Sequence, residues 1–310
     1  MSDPEVSIII PTRDRWSLVQ RALHAALAQT GVSTEVIVVV DGGRDETARE
    51  LAAWPAGLVR LVELDPSHGV AVARNRGAAV ARGSWLSFLD DDDVWAPERT
   101  AGMLRAAGDA GLVVGGRVNV DAEGRVLDFN LPRSAEAILT VLDEENCIGG
   151  PSAVLVRRSA FEAVGGFDPA FAVLADWELW LRLASRFGIA VDPVPANGYV
   201  VHLDGMHVHH FVAAEDEFRR MADLHRDGRR AFDDEQFLRW IASTHKRAGR
   251  RGPAVRGYLR SFGRSRRAID LRGAAGAVLG PRLSARVRGR SDLTQGRDRP
   301  GWLDGFFPGA

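Results

Sequence analysis

Short runs of β-branched residues alternate with stretches of helical period through the first third of the chain. "VSIII" (Val6–Ile10) and "EVIVVVD" (Glu35–Asp41) are unbroken apolar runs, the pattern of strands buried on both faces. "LVRLVEL" (Leu58–Leu64) and "SWLSFLD" (Ser84–Asp90) predict two more. Between the first pair, Leu18, Val19, Ala22, Leu23, Ala26 and Leu27 recur at helical spacing, and Gly31 offers a stop. "DETARELAAW" and residues 69–82 predict further helices, and another starts near Pro97. Strands alternating with helices over short connections predict a largely parallel sheet flanked by helices, an α/β fold. Ligands of such sheets bind beyond the carboxyl ends of the strands. Three strands end in polar clusters there: "PTRDR", "DGGRD" and "DDDD" are therefore predicted to converge on one edge.

From about Gly111 the pattern changes. "LVVGGRV", "PSAVLVRR" and "GYVVHL" predict strands, and "DWELWLRLASRFG" (Asp176–Gly188) a helix whose apolar face includes Leu179, Trp180 and Leu183. Beyond about Phe211 the strand signals stop, and Glu215–Arg226 and Asp234–Arg247 have the spacing of amphipathic helices. The predicted organisation is a sheet domain over 1–212, a helical region over 213–290, and a mobile Gly/Arg/Pro-rich tail over 291–310.

Composition adds two constraints. The net charge of −1 gives no global field toward nucleic acid, yet residues 246–290 carry fourteen basic side chains against one acid, Asp270. That segment is either a solvated arginine-rich surface or a face for anionic lipid; it lacks the interleaved aromatics of a nucleic-acid binder. Cys147 is the single cysteine, which excludes an intrachain disulfide and a cysteine-based zinc cluster. No apolar run reaches the roughly 18 residues of a membrane span, and "MSDPEVSIII" has no basic flank or cleavage site of a signal peptide. These features predict a cytoplasmic protein that at most rests on the inner face of a membrane.

The run Asp90–Asp93 carries the candidate chemistry. Four adjacent carboxylates are either a solvated turn that caps the next helix or the seat of a cation. Hard oxygen ligands of this kind suit Mg²⁺ or Mn²⁺, which is commonly shared with substrate phosphates. Asp90-x-Asp92-x-Val94 also fits the nucleophile loop of haloacid-dehalogenase-like phosphatases. Those enzymes place the loop after the first strand and need a downstream lysine; here it follows the fourth strand, and the only lysine is Lys246. "HLDGMHVHH" groups His202, His207, His209 and His210 without a zinc-like spacing.

Read together, "VSIIIPTRDR", "EVIVVVDGGRDET", "HGVAVARNRGAAVARGSWLSFLDDDDVWAPE", "PSAVLVRRSAFEAVGGFD" and "ADWELWLRL" resemble, in order, a family 2 glycosyltransferase of the GT-A fold. The resemblance implies that Pro11, Thr12 and Arg13 hold the nucleotide base, Arg13 standing where an aromatic is frequent. It implies that Asp41 recognises the base, with Val40 in place of a second aspartate, and that Arg74 and Asn75 face the ligand. It further implies that Asp90, Asp91 and Asp92 form the DXD region, with ribose contacts and a metal (Mn²⁺ or Mg²⁺) bound chiefly through Asp92. His202 corresponds to a histidine that approaches the metal or diphosphate. Asp176 corresponds to the catalytic base, with Ala175 replacing the usual glutamate; the residue pattern alone also allows a helix N-terminal charge there. Trp95, Trp177 and Trp180 are candidates for a sugar platform, with core packing the alternative for Trp180. The implied activity is inverting transfer of a sugar from a nucleotide-diphospho-sugar to a hydroxyl acceptor, a saccharide or lipid-linked saccharide. The rival expectation is a nucleotide-sugar-binding or scaffold protein of the same fold, in which Val40 and Ala175 record lost catalysis.

Overall fold

A computed structural model describes residues 3–55, 57–201, 211–225, 234–247, 249–287 and 298–307. Contacts divide the chain into two units. The first takes residues up to 139, 147–200 and the stretch from 298 onward; the second takes 140–146 and 201–297.

The first unit opens with the predicted alternation: β1 (Val6–Thr12), α1 (Trp16–Leu27), β2 (Thr34–Asp41), α2 (Thr47–Ala52), β3 (Arg60–Leu64), α3 (Val70–Val80) and β4 (Trp85–Phe88). β1 is buried along its whole length, as its unbroken apolar run requires. Val19, Ala22, Leu23, Ala25 and Ala26 form the buried face of α1. α3 meets the sheet through Gly77, where a Cβ would stand 2.4 Å from Ile9 Cγ2 and 3.2 Å from Val39 Cγ2.

The acidic run leads into β5 (Val94–Trp95), followed by α4 (Arg99–Ala106), β6 (Leu112–Val120), β7 (Val126–Asn130), α5 (Ala135–Val141), β8 (Val154–Arg157), α6 (Arg158–Ala163), α7 (Ala175–Phe187) and β9 (Ile189–Val200). The sheet order is β3-β2-β1-β4-β8-β6-β9-β5, with β7 beside β6. β1 to β4 are mutually parallel, β8 runs antiparallel to both β4 and β6, and β6 and β9 are parallel again. Two-residue β5 pairs antiparallel with β9, Val94 opposite Gly198 and Trp95 opposite Asn197. The chain leaving the acidic run is thus pinned to a strand about a hundred residues later.

Residues 298–307 depart from the expected mobile tail. They fold as a short 3-10 turn at Gly301–Gly305, with Leu303 fully buried and Phe307 nearly so. Both join the core that contains Val94, Trp95 and Val200. Apolar side chains at 302, 303, 306 and 307 explain the difference: they bury surface that the Gly/Arg/Pro content of the segment conceals.

The second unit holds α8 (Phe211–Leu224), α9 (Asp234–Arg247), α10 (Arg251–Ser265) and α11 (Ala268–Val287). Phe218 stacks on Phe237 at 4.2 Å, and Ala242, Tyr258 and Ala274 form a small core between α9, α10 and α11. Among the described residues, no helix is long and apolar enough to cross a membrane.

Candidate active site

Parallel pairing in register brings the ends of β1, β2 and β4 to one edge: Thr12 lies opposite Val40, and Ile9 opposite both Ile37 and Phe88. The polar segments after these strands meet there. Asp14 accepts from the backbone N–H of Arg44 and Asp45 at 2.5 and 3.0 Å. Asp45 Oδ2 in turn accepts from Trp16 N at 3.2 Å, so the first two loops close on each other.

Each aspartate of the run has its own partners. Asp90 Oδ1 takes Arg74 Nη2 at 2.6 Å, and its own N–H donates to Ser152 Oγ at 3.0 Å. Asp91 is buried and accepts from Thr12 Oγ1 at 2.8 Å and Arg15 Nη1 at 2.6 Å. Asp92 Oδ2 takes the other arm of Arg15 at 3.0 Å, and its carbonyl takes Arg21 at 3.4 Å. Asp93 points inward and accepts from Val200 N at 3.1 Å. The run is therefore no solvated turn. Two guanidiniums, Arg15 and Arg74, sit on three of its carboxylates, Asp90, Asp91 and Asp92.

Crowding and burial shape the protonation. Burial first, then the charge of Asp92, pushes Asp91 up to about 7 against the pull of Arg15. Asp93, enclosed and near Asp92 and Asp90, is raised well above the ordinary carboxylate range. Asp176, in the first turn of α7, is held up at about 6 by burial, despite the N–H of Trp177 at 2.7 Å and the nearby charge of Arg74. Asp90 adds to that rise. Asp176 thus shares one electrostatic neighbourhood with the strand-end run, although 84 residues separate it from Asp92.

Other predicted site residues do structural work. Asp41 is nearly buried, and its carboxylate accepts Ser67 Oγ, His68 N and Gly69 N at 2.8, 2.7 and 2.8 Å. The following Gly42 has φ of 67°, and a Cβ there would lie 2.3 Å from Ser67 N. Asp41 therefore ties down the 65–69 loop. Exposed Arg13 reaches the same loop, donating to Ser67 Oγ at 3.1 Å. Pro11 is buried within β1. Asn75 turns its amide to the backbone of Phe167, making both bonds there at 2.7 and 2.9 Å. This clamp fixes the "VGGFD" segment ahead of α7. Arg74, from the same turn of α3, does face the run. Trp95, Trp177 and Trp180 are all core residues, with Trp95 and Trp180 wholly enclosed, so none is a sugar platform. His202, with His207, His209 and His210, lies outside the described residues.

Three arginines carry weight that the sequence pattern did not single out. Arg15 neutralises Asp91 and Asp92. Arg99 is buried over the Trp95 ring at 3.9 Å and donates to Ser87 Oγ, Ser152 O and Val154 O at 2.7, 2.8 and 2.9 Å. Burial lowers it to about 9, and it braces the segment that holds Asp90. Arg117, also lowered by burial, places its charge where Asp93 and Asp176 feel it.

A mixed sheet whose strand ends gather an acidic run, with one more half-buried carboxylate at a helix start, has the architecture of GT-A glycosyltransferases. Comparison with known proteins agrees. A profile described as glycosyl transferase family 2 matches residues 7–165. The succinoglycan biosynthesis protein ExoO of Rhizobium meliloti is 31% identical over 239 residues, covering 70% of this chain and 68% of its own. The mannosyltransferase PcManGT from Pyrobaculum calidifontis, solved with GDP-Man and Mn²⁺, superposes with a TM-score of 0.58 at 19% identity, covering 99% of this chain and 86% of that one. S. aureus TarS 1-349 in complex with UDP gives 0.53 at 15%, covering 88% and 90%. The chain belongs to glycosyl transferase family 2 and is a glycosyltransferase.

Proposed function

We propose that the enzyme transfers a sugar from a nucleotide-diphospho-sugar to a hydroxyl acceptor with inversion, with Asp176 as general base and a divalent cation at Asp90 and Asp92. The observation that carries this reading is the placement of a half-buried, partly desolvated carboxylate at the start of α7 within electrostatic reach of Asp90 and Arg74. An aspartate in water is a weak base for a sugar hydroxyl. Desolvation raises its proton affinity toward neutrality, which improves proton transfer while leaving it ionised at pH 7. Asp176 then accepts the acceptor proton as that oxygen attacks the anomeric carbon from the face opposite the diphosphate. Arg74 and Arg15, already on the run, are placed to turn toward diphosphate oxygens.

The donor set fits a hard cation. Asp90 and Asp92 supply carboxylate oxygens, and no third described His, Cys, Asp or Glu completes a cage. Two protein carboxylates with phosphate and water oxygens is the habit of Mg²⁺ and Mn²⁺. Such an ion, when bound, neutralises charge on the departing nucleotide diphosphate. The Mn²⁺ and GDP-Man named for PcManGT support the same assignment. The name of ExoO supports an acceptor in cell-surface polysaccharide or glycolipid synthesis.

The test is a panel of nucleotide-sugars scored for nucleotide diphosphate release and product anomer, with Mn²⁺ and with EDTA. Asp176→Asn is expected to keep donor binding and lose transfer by about 10²–10⁴-fold, and Asp92→Ala to lose the Mn²⁺-dependent part of donor binding. Full transfer by Asp176→Asn overturns the base assignment. Donor affinity indifferent to Mn²⁺ overturns the metal assignment. Donor binding without release by the wild type in any pairing assigns a binding protein of this fold instead.

A further inference from the structure

None of the residues given a chemical role above lies in α8 to α11, yet these helices carry the strongest charge asymmetry of the chain. The acid within α10 and α11, Asp270, is fully buried and held by Arg239 at 2.7 Å and Ser265 Oγ at 2.6 Å. It contributes nothing outward. From Arg251 to Val278 the exposed charges are Arg251, Arg256, Arg260, Arg264, Arg266, Arg267 and Arg272, all positive. Arg260, Arg264 and Arg267 reach Glu215, Asp234 and Glu235 at 3.2, 2.6 and 3.5 Å. Among the described residues, no carboxylate lies within ion-pairing distance of Arg251, Arg256, Arg266 or Arg272.

The same surface is apolar between its charges. Leu259, Ile269, Leu271 and Val278 are 49%, 57%, 44% and 59% exposed, four of the nine large hydrophobic side chains so exposed among the described residues. On α11, Leu271, Ala275 and Val278 follow i, i+4, i+7 spacing, a stripe along one helix face. α11 turns its small residues inward instead: Ala274 packs on Tyr258, and a Cβ at Gly273 would lie 2.4 Å from that ring. A helix that buries glycine and alanine while exposing leucine and valine along one stripe has a second apolar face turned outward. Such a face on an isolated chain is a binding surface more often than an accident.

We propose that the α10–α11 hairpin docks on a bilayer that carries anionic phospholipid. Leu271 and Val278 enter the boundary between headgroups and acyl chains, and the arginines without a carboxylate partner meet lipid phosphates. Guanidiniums suit this position because their stems follow the apolar phase while their heads stay at the phosphate level. Charge selects the leaflet and aliphatic side chains add depth, two signals that together give stable peripheral binding. A nucleic acid would answer the arginines but leave the aliphatic stripe in water. The proposal is independent of the donor, metal and base assigned above.

The test uses the full chain and extruded vesicles, either pure phosphatidylcholine or with about a third phosphatidylglycerol, in sedimentation at low and high salt. Binding is expected with anionic vesicles at low salt, weakened by salt, and negligible with neutral vesicles. The exposed pair Arg266→Glu with Arg272→Glu is expected to weaken binding at least tenfold, on the order of 1 kcal/mol per charge removed. Leu271→Ser with Val278→Ser is expected to abolish the part that survives high salt. Far-UV circular dichroism checks folding, and nucleotide release in the same preparations is read separately. Absence of anionic-vesicle binding, equal binding to neutral vesicles, or unchanged binding by both double variants overturns the proposal. Capture by duplex RNA or DNA without vesicle binding also overturns it and reassigns the arginines.

Discussion

Asp91 shows how this site trades stability for chemistry at the level of one residue. Its folded value of about 7 stands above the 3.8 of the unfolded chain. Between those values the native state holds a proton that the unfolded state has released. The contribution of this group to stability is therefore full below about pH 4 and is lost as pH rises through 7. Asp91→Asn removes that loss. Urea unfolding at pH 8 should show the variant more stable by about 1–2 kcal/mol, below a ceiling of roughly 4 kcal/mol at 1.36 per unit because the Arg15 bond is weakened. At pH 4 the gain should vanish. Asp176 predicts a kinetic counterpart. It works deprotonated, so kcat/KM should fall about tenfold per pH unit below about 6; a flat profile from pH 7 to 5 would remove it as the base. The strand-end aspartates were legible in the sequence as a run of like charges; Asp176 was singled out only through the family resemblance. The arginine partners of these carboxylates were not legible. Only one of the 40 basic residues is lysine, so Arg15, Arg99 and Arg117 look like any other arginine until folding puts them on a carboxylate or an indole.

Elements differ in how much of themselves they announce. β1 to β4 and α1 to α4 follow from clean periods of two kinds. β5 does not: its two residues become a strand only by pairing with Gly198 and Asn197, and no local signal records a partner so distant. The same holds for Asn75, recognisable by position yet turned to Phe167, 92 residues away. α10 and α11 fell inside the region expected to be helical but without bounds of their own, since glycine and arginine dilute the helical period while alanine and tyrosine supply the contact. Gly77 offers a test at this scale. In an isolated helix, alanine is favoured over glycine by up to about 1 kcal/mol. Here the added Cβ would press on Ile9 and Val39, so Gly77→Ala should destabilise by about 1–3 kcal/mol through lifting α3 from the sheet. Donor KM should rise with it, because Arg74 rides on the same helix. A stabilised variant would show that α3 yields freely.

At the scale of the molecule, residues 298–307 rejoin the sheet unit after the chain has passed through α8 to α11. Phe307 lies against Gly124 and beneath the guanidinium of Arg21, 4.6 Å from its ring centre. Arg21 in turn reaches the carbonyl of Asp92. Phe307→Ala should cost about 3 kcal/mol by calorimetry, and should weaken donor binding more than a surface change such as Leu224→Ala. Equal donor binding would show the contact to be packing alone. The return also orders events on the ribosome. Helices α8 to α11 emerge before residues 298–307, so the corner of the sheet beside β5 is finished last. Until then Val94 and Gly198 lack their Leu303 cover, and the nascent enzyme presents an open apolar seam next to its half-built site. A chaperone or protease that samples unfinished chains would find its target there.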